Sequence, residues 1–146
     1  MARIKYYNVA PEGVAAMMAL GKSILASGFD PKLKSLVEIR VSQINGCAFC
    51  LNMHAHEARE AGEDQQRLDV VAAWRDTKFF TEKERAALQW AERLTMVARE
   101  HPSEEEYQEL LRHFDEKELV NLTLVISTIN AWNRISIGLG AEPEKN

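Results

Sequence analysis

The sequence lacks the features by which several classes of protein are recognised. Its apolar runs are shorter than the roughly 18–20 residues that a membrane-spanning helix needs. Its first seven residues, MARIKYY, contain no apolar stretch of the kind found in secretion signals. Positive charge is also scarce, since 18 basic residues face 22 acidic ones and no cluster of Lys and Arg occurs. We therefore expect a cytoplasmic location, no membrane partner and no nucleic-acid partner, because binding phosphates requires clustered positive charge.

Cysteine is nearly absent, and the only two cysteines are Cys47 and Cys50. A structural disulfide is not expected in a reducing cytoplasm. Two cysteines separated by two residues are, in that compartment, more typical of a redox-active or metal-binding site. The pair is therefore the most informative feature of the sequence.

Glycine and proline are few, with seven and four residues, and they separate segments whose apolar residues recur at helical spacing. Capping-box signatures at Thr81, Ser103 and Asp115 mark three helix starts. No segment alternates with a period of two, although β-branched residues at 37–41 leave a strand as the minor alternative there. The sequence predicts an all-α fold, a single-domain helical bundle of about six or seven helices over residues 1–146.

The segment 119–139 is apolar on more than one face. A helix that is apolar nearly all round is normally buried inside a larger body. In a chain of 146 residues this favours burial against a second subunit, so we expect an oligomer. A central core helix of a monomer is the alternative.

Two thiols and an imidazole lie within eight residues, at Cys47, Cys50 and His54. If Cys47 opens a helix, Cys50 lies in the first turn, where free N–H groups and the helix dipole favour thiolate over thiol. Cysteines so placed have pKa values lowered from about 8.5 to roughly 3.5–7.5. The spacing puts all three side chains on one helical face, where His54 can take up and return a proton.

Three interpretations of this segment are open. In a dithiol redox site, a thiolate attacks a peroxide and the second thiol then forms a disulfide. In a zinc site, the ligands would be Cys47, Cys50, His54 and His56, but residues two apart on a helix point in nearly opposite directions. In a structural interpretation, both cysteines are small buried residues. A thioredoxin fold is disfavoured because no β-α-β pattern surrounds the cysteines.

Glu38 is the nearest carboxylate upstream of the cysteines, and it is flanked by Val37 and Ile39. A buried carboxylate has a raised pKa and can relay protons at neutral pH. An exposed Glu38 paired with Arg40 or Lys34 is the other interpretation. The sequence alone supports both.

The run from Ser42 to Cys50, SQINGCAFC, followed by His54, closely resembles the alkylhydroperoxidase D-like branch of the carboxymuconolactone decarboxylase family. The segments 72–75 (AAWR) and 129–134 (INAWNR) are also similar to its small members, so the resemblance extends from about residue 30 to the end. It implies an all-helical fold that assembles as a homotrimer or homohexamer, and thiol peroxidase activity in antioxidant defence. It also implies a hydroperoxide substrate and a dithiol or thiol-protein electron donor. We expect no bound cofactor or metal.

The resemblance also implies roles for the site residues. Cys50 would attack the hydroperoxide, Cys47 would resolve the oxidised product, and His54 would be the base of the proton relay. The apolar residues near this site predict a modest preference for alkyl hydroperoxides: Phe49, Leu51, Met53 and Trp132.

A glutamate on the preceding helix joins this relay in the family. Its position corresponds to Ser35 in this sequence, and Glu38, one helical turn closer to the cysteines, is the candidate for the fourth catalytic residue. The archetype also has a histidine between its two cysteines, where this chain has Phe49.

Two other functions are open. One is a decarboxylase that acts on a small cyclic carboxylic acid, which would need cationic groups such as Arg40 or Arg134 in the pocket. The other is a non-enzymatic, redox-sensing module whose oligomeric state depends on the dithiol. The first predicts activity without the thiols, and the second predicts a change of assembly on oxidation.

Overall fold

The computed structural model describes residues 3–145, so Met1, Ala2 and Asn146 of the predicted domain lie outside it. The described chain forms eight α-helices and one 3₁₀ helix: α1 Tyr6–Val9, α2 Pro11–Ala26, α3 Pro31–Asn45, α4 Ala48–Glu60, α5 Gln65–Val70, the 3₁₀ helix Val71–Asp76, α6 Glu82–Thr95, α7 Glu104–Leu111 and α8 Glu116–Gly138. Residues 3–145 contain no strand, which confirms the all-α prediction.

Two details of the helical prediction differ from the structure. The four-residue α1 was not predicted, and with it the described α-helices number eight rather than the expected six or seven. The strand alternative at 37–41 is wrong, because this segment lies inside α3. None of the described helices combines the length and the hydrophobicity that spanning a bilayer requires.

Local capping explains where the helices begin and end. Both hydrogen bonds of a capping box form at Thr81, Ser103 and Asp115, as predicted. Gly46 ends α3 with a left-handed φ of 68°, a conformation that glycine adopts at little cost. Because Cys47 then caps α4 directly, the two helices are joined by a very short turn.

Helix α3 lies at the centre of the fold and packs against α4, α6 and α8. Its Leu36, Val37 and Val41 are fully buried, and Leu122 and Ile126 of α8 pack in the same interior. Helix α8 is therefore a core helix along much of its length. The site described below lies where α2, α3, α4 and α8 meet.

Exposed apolar side chains are more numerous near the N-terminus than on α8. Among the described residues the N-terminal part contributes Ile4, Tyr7, Val9, Met18, Leu20 and Leu25. Helix α8 contributes Val120 and Ile137. Three of these exposed side chains, Met18, Leu20 and Leu25, lie on α2, in which only Ile24 is buried.

The carboxylate of Glu92 connects three elements of the fold through hydrogen bonds. Glu92 of α6 accepts hydrogen bonds from Arg40 Nε at 2.8 Å, from Trp74 Nε1 at 2.9 Å and from Arg75 at 2.5 Å. Burial alone would raise the pKa of Glu92, but these three hydrogen bonds outweigh it and lower the pKa. Arg40, proposed from the sequence as a pocket cation, is thus held in a structural ion pair.

We expect Glu92→Gln to lower the free energy of unfolding by about 1–3 kcal/mol at pH 7. The folded-state pKa is depressed, so the stabilisation is present above the unfolded value of 4.5 and is lost as the pH falls through the folded pKa. Urea unfolding of both proteins should therefore show a difference at pH 7 that shrinks below pH 4.5. Glu100→Gln, which removes an exposed partner of Arg93, is the control and should cost less than about 1 kcal/mol.

Candidate functional site

Cys47 and Cys50 lie at the start of α4, as predicted, and His54 lies near the middle of the same helix. Cys47 is the N-cap, and its Sγ accepts the backbone N–H of Cys50 at 3.3 Å. Both cysteines are 1% exposed and His54 is 7% exposed, so the three side chains share the inward face of the helix. The two sulfurs are bonded to each other, with the Cα atoms 5.4 Å apart.

Cys50 opens onto a cavity of about 330 Å³ between α1, α2, α3, α4 and α8. His54 and Glu38 line the same cavity, whereas Cys47 is not among the described residues that line it. The apolar part of the wall consists largely of Met17, Ile24, Phe49, Met53, Val125 and Trp132. A small molecule that enters the cavity therefore meets the sulfur of Cys50 before that of Cys47.

The imidazole of His54 faces two carboxylates. Its Nδ1 lies 3.0 Å from Glu57 Oε2 and 3.4 Å from Glu38 Oε2. The described residues form no hydrogen bond with Nε2 of His54. An anionic partner at Nδ1 favours the proton on that nitrogen and leaves Nε2 free to act as a base.

Glu38 has features of both interpretations drawn from the sequence, because it is buried and also paired with a cation. It is buried, with 8% of its surface exposed, and its Oε1 is paired with Lys34 Nζ at 2.5 Å. Ser35, the position that matches the family's glutamate, instead donates its hydroxyl to the Pro31 carbonyl. Glu38 therefore reaches His54 from a position that is one helical turn closer to the cysteines than that of the family's glutamate.

Glu57 was missed by the sequence reasoning. It lies three residues after His54 on α4, a spacing at which helical side chains meet. The hydrogen bond from His54 is the main cause that lowers the pKa of Glu57, and it outweighs the opposing effect of burial. The spacing alone was a readable signal, but only the packing of α3 on α4 shows that both carboxylates reach the same nitrogen.

The structure does not assemble the zinc site considered from the sequence. His56 is exposed on α4, whereas His54 is buried. Within residues 3–145, no three side chains of His, Cys, Asp or Glu come together in an arrangement that could hold a metal ion.

The two arginines considered as pocket cations do not line the cavity. Arg40 binds Glu92, and Arg134 donates to the backbone and side-chain oxygens of Asn130. The basic residues that do line it are Lys22 and Lys34. An anion site built on Arg40 or Arg134 is therefore wrong for this cavity.

A partly buried network of side-chain amides fixes the turn that carries the cysteines. Asn45, at the end of α3, donates to Asn130 Oδ1 at 3.0 Å and to Asn133 Oδ1 at 2.9 Å. Asn133 donates to Ser42 Oγ at 3.0 Å, and Asn130 donates to Thr95 Oγ1 at 3.0 Å. These bonds connect the cysteine-bearing turn to α8 and α6, and they explain the asparagines of the INAWNR segment.

Comparison with known proteins identifies the family. Residues 11–93 match the carboxymuconolactone decarboxylase family, which is more than half of the chain. The uncharacterised protein YdfG of Bacillus subtilis (strain 168) is 42% identical over 138 residues, covering 94% of each chain.

Two solved structures show the same fold. One is a protein of unknown function from Agrobacterium tumefaciens that has been suggested to be the antioxidant defence protein AhpD; it is 36% identical, with a TM-score of 0.96 over all of both chains. The debrominase Bmp8 is 24% identical, with a TM-score of 0.83 over 94% of this chain and 74% of its own, a likeness of fold alone. The chain thus belongs to the carboxymuconolactone decarboxylase family, within its alkylhydroperoxidase D-like branch.

Proposed function

We propose that the protein is a cytoplasmic, dithiol-dependent peroxidase that reduces hydroperoxides in antioxidant defence. The observation that carries this proposal is the cavity in which Cys50, His54 and Glu38 are brought together, with Cys47 bonded behind Cys50. The apolar wall favours small organic hydroperoxides, and Phe49, Met53 and Trp132 are part of it.

Oxidation begins at Cys50, with Nε2 of His54 holding the thiol proton. The thiolate attacks the terminal oxygen of the hydroperoxide, and the O–O bond breaks as the S–O bond forms. The leaving alkoxide takes the proton from His54 and departs as an alcohol. Cys50 is left as a sulfenic acid.

Cys47 then resolves the sulfenic acid. Its thiolate attacks the sulfur of Cys50, the S–S bond forms, and hydroxide leaves and is protonated to water. The backbone N–H that Cys47 Sγ accepts, together with the helix N-terminus, supports the thiolate form of this residue. The disulfide seen in the structure is the product expected of this step.

Reduction needs a dithiol donor. A donor thiolate that reaches Cys50 through the cavity forms a mixed disulfide, and Cys47 leaves as a thiolate. Because a sulfur of low pKa leaves fastest, the N-cap position of Cys47 favours attack at Cys50. The second donor thiol then releases Cys50, so that one hydroperoxide and one dithiol give an alcohol, water and a disulfide.

We also propose that the chain assembles as a homotrimer or homohexamer. The exposed apolar side chains of Met18 and Leu25, which are seven residues apart and share one face of α2, support this because exposed apolar surface is unfavourable in water. Burial of this face would also support the helix that forms one wall of the cavity.

The proposal is tested by treating the reduced protein with one equivalent of cumene hydroperoxide. We expect intact-mass analysis to show the loss of two hydrogens, peptide mapping to place a disulfide between Cys47 and Cys50, and added dithiols to support repeated turnover. A variant with serine at both positions is the control and should consume nothing.

Two results would favour the other functions. Consumption of a cyclic carboxylic acid by the double serine variant would favour a decarboxylase. A change in sedimentation between the reduced and oxidised protein, without peroxide turnover, would favour a redox-sensing module. Failure of the wild type to form the disulfide would exclude the peroxidase scheme.

A further inference from the structure

The segment before α2 is anchored at the cavity by the far end of the chain. The backbone N–H of Arg3 donates to the carbonyl of Leu139 at 3.0 Å, and the N–H of Ile4 donates to the same carbonyl at 3.4 Å. The Arg3 guanidinium also donates to the Gly138 carbonyl at 3.4 Å. These bonds fix α1 beside the end of α8, outside the stretch 11–93 that matches the family.

This anchoring places Tyr6 in the wall of the cavity that contains Cys50. Tyr6 is 7% exposed, and its hydroxyl is buried without a hydrogen-bond partner. No other buried side-chain nitrogen or oxygen within residues 3–145 is left in this state. The neighbouring Tyr7 stacks on it with ring centroids 4.4 Å apart. Burial first, and then the nearby Tyr6 hydroxyl, raise the pKa of Tyr7 to about 12, but the two hydroxyls do not reach the geometry of a hydrogen bond.

A buried hydroxyl without a partner is unfavourable, because it has lost its hydrogen bonds to water and gained none in the protein. Such a hydroxyl adds little to the stability of the fold. An oxygen atom of a ligand in the adjoining cavity would accept its hydrogen bond. The cavity volume of about 330 Å³ lies at the lower end of the range for small-molecule sites, about 300–1,000 Å³.

We propose that Tyr6 is a substrate-binding residue whose hydroxyl donates a hydrogen bond to the carbon-bound oxygen of an organic hydroperoxide. The substrate class is a neutral hydroperoxide with an aryl or branched alkyl group that fills the apolar wall. This assignment rests on the proposed peroxidase function and specifies its substrate. Hydrogen peroxide, which has no such group, would leave the apolar wall unoccupied.

The hydrogen bond from Tyr6 also stabilises the charge that develops during the reaction. When Cys50 attacks the terminal oxygen, negative charge develops on the carbon-bound oxygen as the O–O bond breaks. A donor aimed at that oxygen strengthens its hydrogen bond as the charge grows. Tyr6 keeps its own proton, and the alkoxide takes its proton from His54, so the step balances as described above.

The experiment uses two unreactive ligands of nearly the same shape, 2-phenyl-2-propanol and tert-butylbenzene. The alcohol carries the oxygen that Tyr6 is proposed to bind, and the hydrocarbon has a methyl group in its place. We expect Tyr6→Phe to weaken binding of the alcohol to the reduced protein about five- to tenfold, with no loss for the hydrocarbon, as measured by NMR titration. Tyr107→Phe, on the exposed side of α7, is the matched control and should change neither.

Stability separates a binding role from a structural one. If the hydroxyl has no partner in the folded protein, its removal in Tyr6→Phe should leave the melting temperature unchanged or raise it. A lower melting temperature, equal weakening of both ligands, or unchanged binding of the alcohol would each overturn the proposal.

The ligand-binding experiment tests Tyr6 whether or not the protein turns over peroxide. Loss of alcohol selectivity in Tyr6→Phe would support the binding assignment even if the wild type consumed no peroxide, and then only the peroxidase function would fail. Conversely, a wild type that turns over cumene hydroperoxide with the same kcat/KM as Tyr6→Phe would leave the peroxidase standing and overturn the role of Tyr6.

Discussion

Cys50→Ser should lower kcat/KM for cumene hydroperoxide by at least about a thousandfold, to the level of the buffer reaction. Serine has nearly the shape of cysteine, but its hydroxyl does not ionise under these conditions and cannot accept the peroxide oxygen. The loss would therefore reflect the chemistry at this position rather than a change in the cavity. Stopped-flow measurement of peroxide consumption, with circular dichroism as a check on folding, gives the result.

Cys47→Ser provides the matched comparison. We expect one rapid oxidation per chain, because Cys50 still faces the cavity, and then a persistent sulfenic acid that a carbon-acid probe such as dimedone would trap. Turnover should be lost, while the first step remains close to the wild-type rate.

The reverse pattern is the result that would contradict these roles. The N-cap position gives Cys47 the more favourable setting for a thiolate, since its Sγ already accepts a backbone N–H. Access favours Cys50, which lines the cavity. If Cys50→Ser were still oxidised in one fast step and Cys47→Ser were not, thiolate stabilisation would outweigh access and the two assignments would exchange.

The parts of the structure that could be predicted are those fixed by neighbours in the sequence. A capping box involves residues within one helical turn, so the starts of α6, α7 and α8 were readable from Thr81, Ser103 and Asp115. The sequence also predicted a helix that opens at Cys47 with Cys50 in its first turn, and the structure makes Cys47 the N-cap of that helix.

The parts that could not be predicted depend on contacts between distant segments. Helix α1 is too short to give a periodic signal, and it is positioned by the hydrogen bonds from Arg3 and Ile4 to Leu139. From the sequence, Arg40 is a candidate cation for the pocket. In the fold it pairs instead with Glu92, which lies 52 residues farther along the chain. The cavity itself is formed by five helices, so no single segment of the sequence describes it.

His54→Asn should lower kcat/KM by about 10²–10⁴, the usual contribution of a positioned general base. Asparagine retains polarity and much of the volume but cannot carry the proton from the Cys50 thiol to the alkoxide. The activity of the variant should recover as the pH is raised, because hydroxide then removes the thiol proton directly. A pH–rate profile of both proteins measures this difference.

The control for this variant is His56→Asn, which changes an exposed imidazole two residues away on the same helix and should leave the rate unchanged. The carboxylates give a graded test, since Glu38→Gln and Glu57→Gln each leave His54 with one anionic partner at Nδ1. Each single change should cost less than the loss of His54, and the double change should approach that loss. If the two effects were instead additive and small, and His54→Asn matched the wild type at every pH, proton transfer to solvent would suffice and the relay would have no part in the reaction.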